Sequence, residues 1–125
     1  MGKKHSPLFL RRVEHSRSII NECTIDEFIL MMNDNESLFI IDVRETHEFE
    51  LGHMKGAIHI GKGVLERDIE KHPFGTSVRI VLYCGGGFRS AIAAQSMKEM
   101  GYENVYSLWG GWRAILATDI QKSGL

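Results

Sequence analysis

Apolar positions along the chain fall into two alternating patterns. Leu38-Phe39-Ile40-Ile41-Asp42-Val43 and Val78-Arg79-Ile80-Val81-Leu82-Tyr83 are near-continuous apolar runs of strand length. Such runs mark strands covered on both faces, as in a parallel sheet. Around them the spacing changes to a helical period. Ile25, Phe28, Ile29 and Met32 recur on one face. They follow Thr24-Ile25-Asp26-Glu27, which reads as a capping box in which Thr24 caps the helix and Glu27 reaches back. Asn33-Asp34-Asn35 ends that helix. Ser90 to Met100, SAIAAQSMKEM, consists mostly of good helix formers. Its Ala91, Ala94 and Met97 make a slim face suited to close approach on a sheet, and Gly101 is a C-cap glycine. Val105-Tyr106-Ser107-Leu108 reads as the last strand, and Trp109-Gly110-Gly111-Trp112 leads into a final helix.

Shorter elements fill the gaps. Ser18 to Cys23 holds a first short strand. His47-Glu48-Phe49 starts a short helix that Gly52 ends, and Gly56-Ala57-Ile58-His59-Ile60 reads as another strand. Val64 to Lys71 is charged, with Leu65 and Ile69 four apart. It reads as a solvated surface helix over the sheet, ended by Pro73 and Gly75. Residues 1–18 form a basic extension, with Lys3, Lys4, Arg11, Arg12 and Arg17 against Glu14. Ser6 as N-cap and Pro7 at the first helical position predict a short helix there, packed on a domain formed by residues 19–125. Alternating strands and helices predict an α/β fold: a central, mostly parallel sheet of about five strands with helices on both faces.

Composition narrows the classes. A chain of 125 residues with 43% apolar content makes one domain with a single core. Fifteen basic against sixteen acidic residues, a net charge of −1, give no reason to expect a nucleic-acid partner. Two cysteines make no disulfide framework and fit a reducing, cytoplasmic setting. No apolar run is long enough to cross a membrane, and the basic start lacks the apolar core of a secretory signal. Met1-Gly2-Lys3-Lys4-His5-Ser6 matches the short acylation pattern M-G-x-x-x-[ST], a match that a solvated basic end produces by chance. The six histidines are scattered without zinc-site spacing, so no metal or other cofactor is expected, and His53 reads as structural.

The chemistry concentrates at Cys84-Gly85-Gly86-Gly87-Phe88-Arg89-Ser90, between the strand ending at Tyr83 and the helix that follows. A strand, a glycine-rich loop and a helix start aim successive backbone N–H groups into one concavity, and the helix N-terminus adds partial positive charge. A cysteine at the mouth of such a cradle ionises readily, because its thiolate is the anion being stabilised. Three glycines leave no side chains over the sulfur. The plain alternative is a glycine-rich turn with a buried structural cysteine. Two chemistries use a reactive cysteine here: sulfur transfer through a persulfide, and phosphate-ester or arsenate chemistry in the pattern C-x5-R. Here the pattern is C-x4-R, a smaller cradle that suits a persulfide's outer sulfur. Tyr83 also stands where the phosphatase pattern has His.

This loop resembles the active-site loop of rhodanese-like sulfurtransferases. Two more stretches agree. Asp42-Val43-Arg44, Glu48-Phe49 and Gly52-His53-Met54-Lys55-Gly56-Ala57 are similar to the family's D-V-R, E-[FY] and G-H-[IM]-x-G-A signature. Gly101-Tyr102-Glu103-Asn104-Val105 and Gly110-Gly111-Trp112 are similar to its G-[FY]-x-x-V and G-G-[WF] ending. The resemblance runs from about Ile20 to Trp112 and implies a rhodanese-like fold. It also implies that Cys84 takes a sulfane sulfur from a donor such as thiosulfate, carries it as a persulfide held by the amides of Gly85 to Ser90, and passes it to a nucleophile. The implied partners are a small sulfur donor and a thiol or cyanide acceptor, or a protein acceptor, with no nucleic acid and no membrane. Arg89 then steers the anionic donor or stabilises departing sulfite, or else holds the loop by pairing with a carboxylate. Asp42 and Arg44 sit near the loop as supporting groups, or Arg44 pairs with Glu48 or Asp42 to hold the turn. Trp109 walls the pocket and Trp112 is core. Ser90 caps the helix or bonds the sulfur. Cys23 reads as a bystander rather than a resolving thiol. Ile60-Gly61-Lys62-Gly63 departs from the family, and that segment shapes one wall near the site. A rhodanese fold also serves as a non-catalytic binding module, and that remains the alternative.

Overall fold

The structure, a computed structural model, describes residues 4–34 and 37–125. Met1, Gly2 and Lys3 of the acylation-like pattern, and Asn35 of the helix-ending run, lie outside these.

Five strands form one parallel sheet: β1 (Asn21–Cys23), β2 (Leu38–Asp42), β4 (Ile58–His59), β5 (Arg79–Tyr83) and β6 (Val105–Leu108). Their order is β1-β6-β5-β2-β4, and each neighbouring pair is parallel. Central β5 is apolar because both its faces are covered: Ile80, Val81, Leu82 and Tyr83 are all fully buried. The two-residue period of a strand divides them between two cores. Ile80 and Leu82 pack with Ala93, Ala94 and Met97 of α5 (Phe88–Met100) and with Leu65 and Ile69. Val81 and Tyr83 pack with Phe28 of α2 (Ile25–Asn33) and Ile115 of α6 (Gly111–Leu116). Helices thus cover both faces, as the alternation predicted.

Outside α5 lies α1 (Pro7–Arg17), which buries Val13 and is keyed to α5 by Gln95. Arg12 Nη1 and Ser16 Oγ both donate to Gln95 Oε1 at 2.8 Å. The chain stays turn-like after α1, with Ile20 N bonded to Ser16 O, so the first strand starts only at Asn21. The Thr24 capping box is present: Glu27 N donates to Thr24 Oγ1 at 3.2 Å and Thr24 N to Glu27 Oε1 at 2.8 Å.

Two features differ from the sequence reading. Val64 to Lys71 is not one solvated helix but a 3-10 turn (Lys62–Val64), a four-residue α4 (Leu65–Asp68) and a second 3-10 turn (Ile69–Lys71). Leu65 and Ile69 are fully buried. These two anchors draw the segment onto the sheet, and Pro73 forces His72 extended, at φ −90° and ψ 138°, which cuts the helix short. The second feature is a small antiparallel pair, β3 (His53–Met54) with β7 (Lys122–Ser123), which follows α3 (Thr46–Glu50) and ties the last residues back to it.

Candidate active site

Strand β5 delivers Cys84 to the carboxyl end of the sheet, the edge where open α/β sheets bind ligands. Gly87, at φ 108°, turns the chain into α5. The turn brings Gly87 N to 3.2 Å and Ser90 N to 3.3 Å from Cys84 Sγ, both donating to it. The thiol in turn donates to Ser90 Oγ at 3.5 Å, and that hydroxyl is fixed by Ser107 Oγ on β6 at 2.8 Å. Ser90 therefore serves the sulfur twice, through its amide and its hydroxyl. Cys84 is 1% exposed.

While the amides of Gly87 and Ser90 turn to the sulfur, the loop's carbonyls are held from the other side. Trp112 N donates to Cys84 O at 2.7 Å, Arg113 N to Gly85 O at 3.1 Å and Gly110 N to Gly86 O at 3.0 Å. Three successive carbonyls are thus taken by the first turn of α6. That contact requires Gly111: its φ is 51°, and a Cβ there would collide with Cys84 O. The Gly110-Gly111-Trp112 motif was legible in the sequence as an ending, but its part in turning the cysteine loop was not.

Arg89 does not face the sulfur alone. Its Nη1 and Nη2 grip Glu48 Oε1 and Oε2 at 2.7 and 3.1 Å. That bond is the main reason Glu48 is held at about 2, below its ordinary 4.5. The Arg89 guanidinium rises reciprocally, first through Glu48. Glu48 comes from α3, where its Oε1 also accepts Glu45 N at 3.0 Å as part of a capping box. Of the two roles read for Arg89, this geometry supplies the carboxylate pairing. Its guanidinium also lies along Gly85, where a Cβ would stand 3.2 Å from Nη2. Glu48 as Arg89's partner was missed in the sequence, because residues so far apart share no local pattern.

Asp42 and Arg44 are buried and bound to each other. Arg44 Nη2 reaches Asp42 Oδ2 at 2.8 Å and Gly52 O at 2.7 Å, and Arg44 Nε reaches Asp42 Oδ1 at 3.1 Å. These bonds hold the turn after β2 and run to no atom of the cysteine loop. Arg44 pairs with Asp42, and Glu48 goes to Arg89. Asp42 lies opposite Tyr83 in the β2–β5 register, so the pair underpins the residue from which the loop departs. Tyr83 Oη accepts Met54 N at 3.1 Å, and burial pushes its phenol well up. His53 is structural, stacked on Phe49 at 3.6 Å with Nδ1 against Phe49 O. Trp112 stacks on Tyr83 at 6.3 Å, while Trp109 is 37% exposed. Phe88, the loop's one aromatic, turns toward Trp109 at 5.6 Å and toward α1. Cys23 is buried in β1, and burial first, with Glu27 and Glu22, pushes its thiol up to about 12. It stays protonated and inert near neutrality. Gly61 and Gly63 line a cavity of about 450 Å³ with Glu45, His59, Asp68 and His72, and no residue of the cysteine loop lines it.

Comparison with known proteins places this geometry. Residues 24–118 match the family described as Rhodanese-like domain. YrkF of Bacillus subtilis, provisionally named a sulfur carrier protein, is 36% identical over 109 residues, covering 84% of this chain and 58% of that one. A tRNA uridine(34) hydroxylase of Buchnera aphidicola is 34% identical over 99 residues, covering 76% of this chain and 30% of the relative. The chain thus spans 58% of the first of these relatives and 30% of the second. Among solved structures, a Rhodopseudomonas palustris protein of unknown function, described as a possible tyrosine phosphatase, superimposes with a TM-score of 0.74. It is 26% identical, with 97% of this chain and 99% of that one covered.

Proposed function

The chain belongs to the rhodanese-like domain family, and we propose that within it the protein is a sulfurtransferase working through a Cys84 persulfide. One observation carries the reading: Cys84 Sγ, buried, lies where the amides of Gly87 and Ser90 converge, in a loop whose three glycines add no side chain of their own. The thiolate of Cys84 attacks the sulfane sulfur of a donor such as thiosulfate. A new S–S bond forms on Cys84, the donor's S–S bond breaks, and its electron pair leaves with sulfite. The inward amides hold the charge on the outer sulfur of the persulfide, which is the preorganised anion stabilisation this chemistry needs. A thiolate or cyanide then attacks that outer sulfur, and the pair of the breaking S–S bond returns to Cys84. The acceptor is a small molecule or the exposed thiol of a protein. Supporting the reading are the family match and the sulfur-carrier name of one relative. Arg89 is committed to Glu48, so an incoming anion gains its charge by competing with that carboxylate.

Phosphoester hydrolysis is raised by the name of the R. palustris neighbour. Against it stand the four-residue spacing between Cys84 and Arg89, Tyr83 in the place of a histidine, and an arginine engaged elsewhere.

The test is to incubate the reduced protein with thiosulfate and record its intact mass beside Cys84→Ser. A gain of one sulfur atom in the parent alone is expected. No gain with thiosulfate, with a low-molecular-weight persulfide or with a persulfidated protein would sink the proposal and leave a binding module. Turnover of a phosphoester would favour the phosphatase reading.

A further inference from the structure

Helix α1 precedes the segment that matches the family, yet both its ends touch the aromatic residues beside the catalytic loop. At its start, Phe9 lies 6.3 Å from Phe88, and the ring of His5, just ahead of the helix, meets Phe88 edge-on at 4.7 Å and lies 5.3 Å from Phe9. At its end, the Arg17 guanidinium sits 3.7 Å over the Trp109 ring, held there by Glu22 at 2.9 Å. Trp109 in turn backs Gly87, where a Cβ would stand 3.1 Å from its ring, and packs on Phe88. Phe88 stands between Gly87 and Ser90, the two residues whose amides reach the sulfur. Phe88 and Arg89 are the only bulky side chains between Gly85 and Ser90, and Arg89 is pinned by Glu48. Phe88 is thus packed among His5, Phe9 and Trp109 as Arg89 is paired with Glu48.

We propose that α1, with His5 just ahead of it, is a positioning and specificity element: through Phe9 and His5 it clamps Phe88 against Trp109, keeps the way to Cys84 narrow, and so selects small acceptors over bulky thiols. The acceptor part rests on the sulfur-transfer reading above. The step concerned is attack on the outer sulfur of the Cys84 persulfide. With cyanide the products are thiocyanate and the Cys84 thiolate; with a thiolate they are a new persulfide and the Cys84 thiolate.

The experiment compares the full-length parent with Phe9→Ala, His5→Ala and the ring-preserving Phe9→Tyr, all checked for folding by circular dichroism. One readout is kcat/KM for transfer to cyanide against transfer to glutathione. The other needs no activity: the rate at which iodoacetamide and a bulky fluorescent maleimide alkylate Cys84, resolved from Cys23 by peptide mass. Phe9→Ala is expected to shift both ratios toward the bulky reagent by roughly tenfold. His5→Ala is expected to shift them in the same direction, and Phe9→Tyr to restore the parent values. Ratios unchanged in both alanine variants, or small and bulky rates moving together, would overturn the clamp. Should Phe9→Ala fail to fold, His5→Ala, just ahead of the helix, decides. A parent that takes up no sulfur would overturn the sulfur-transfer reading, and the alkylation ratios would then decide the clamp by themselves.

Discussion

Glu48 and Gly111 are the residues on which the cysteine loop leans hardest, one by charge and one by having no side chain. Glu48 is held at about 2 by Arg89, against an ordinary 4.5. A carboxyl lowered in the folded state stabilises it above the unfolded value and loses that contribution as pH falls through the folded one. The stability difference between the parent and Glu48→Gln is therefore expected to be full above about pH 4.5 and to vanish toward pH 2. Both partners are about a third exposed, so the plateau should stay near or below about 1 kcal/mol. Urea unfolding at a series of pH values measures it, and a difference that grows on acidification would contradict the pairing. Gly111→Ala puts a methyl group into the Cys84 carbonyl at a positive φ. A loss of roughly 2–4 kcal/mol is expected by denaturant unfolding. The same variant should lose persulfide formation, because the carbonyl of Cys84 can no longer be held outward.

Elements were legible where their signal is local. The Thr24–Glu27 box needs four residues, and it is formed as read. Thr24→Ala should cost about 1 kcal/mol and leave the chemistry of Cys84 unchanged, measured by unfolding beside the mass-gain assay. Strands β2 and β5 were legible because burial on both faces leaves an unbroken apolar run. Strands β3 and β7 were not: two residues carry no period, and their partner lies across most of the sequence. The Leu65–Ile69 segment misled for a different reason. Its charges are real, but two fully buried side chains decide where it sits. Deleting residues 121–125 removes β7, together with the bond from Lys55 N to Gln121 O. A loss of about 1–2 kcal/mol is expected, seen as a lower melting temperature. An unchanged melt would mean that the pairing contributes nothing. In the site, the cysteine and its glycines stood out in the sequence, whereas Glu48, Ser107 and the carbonyl-holding turn of α6 depend on the path of the chain.

Across the whole molecule, the sheet places its site-bearing strand in the middle, flanked by β6 and β2. Amide exchange should be slowest in β5 and its two neighbours and distinctly faster in α1, which is attached from outside through α5 and the site aromatics. Equal protection of α1 and β5 would show that the extension and the sheet open as one unit.

The outward hold on the Cys84 loop also sets an order of events during synthesis. A ribosome releases Cys84 and its glycines well before Gly110, Gly111 and Trp112, whose amides take the loop's carbonyls. Until those residues emerge, the carbonyls of Cys84, Gly85 and Gly86 lack the donors that hold them. The cysteine loop is thus completed by residues that come later in the message, and a translation product truncated between the two would carry the cysteine without the turn that holds its carbonyls.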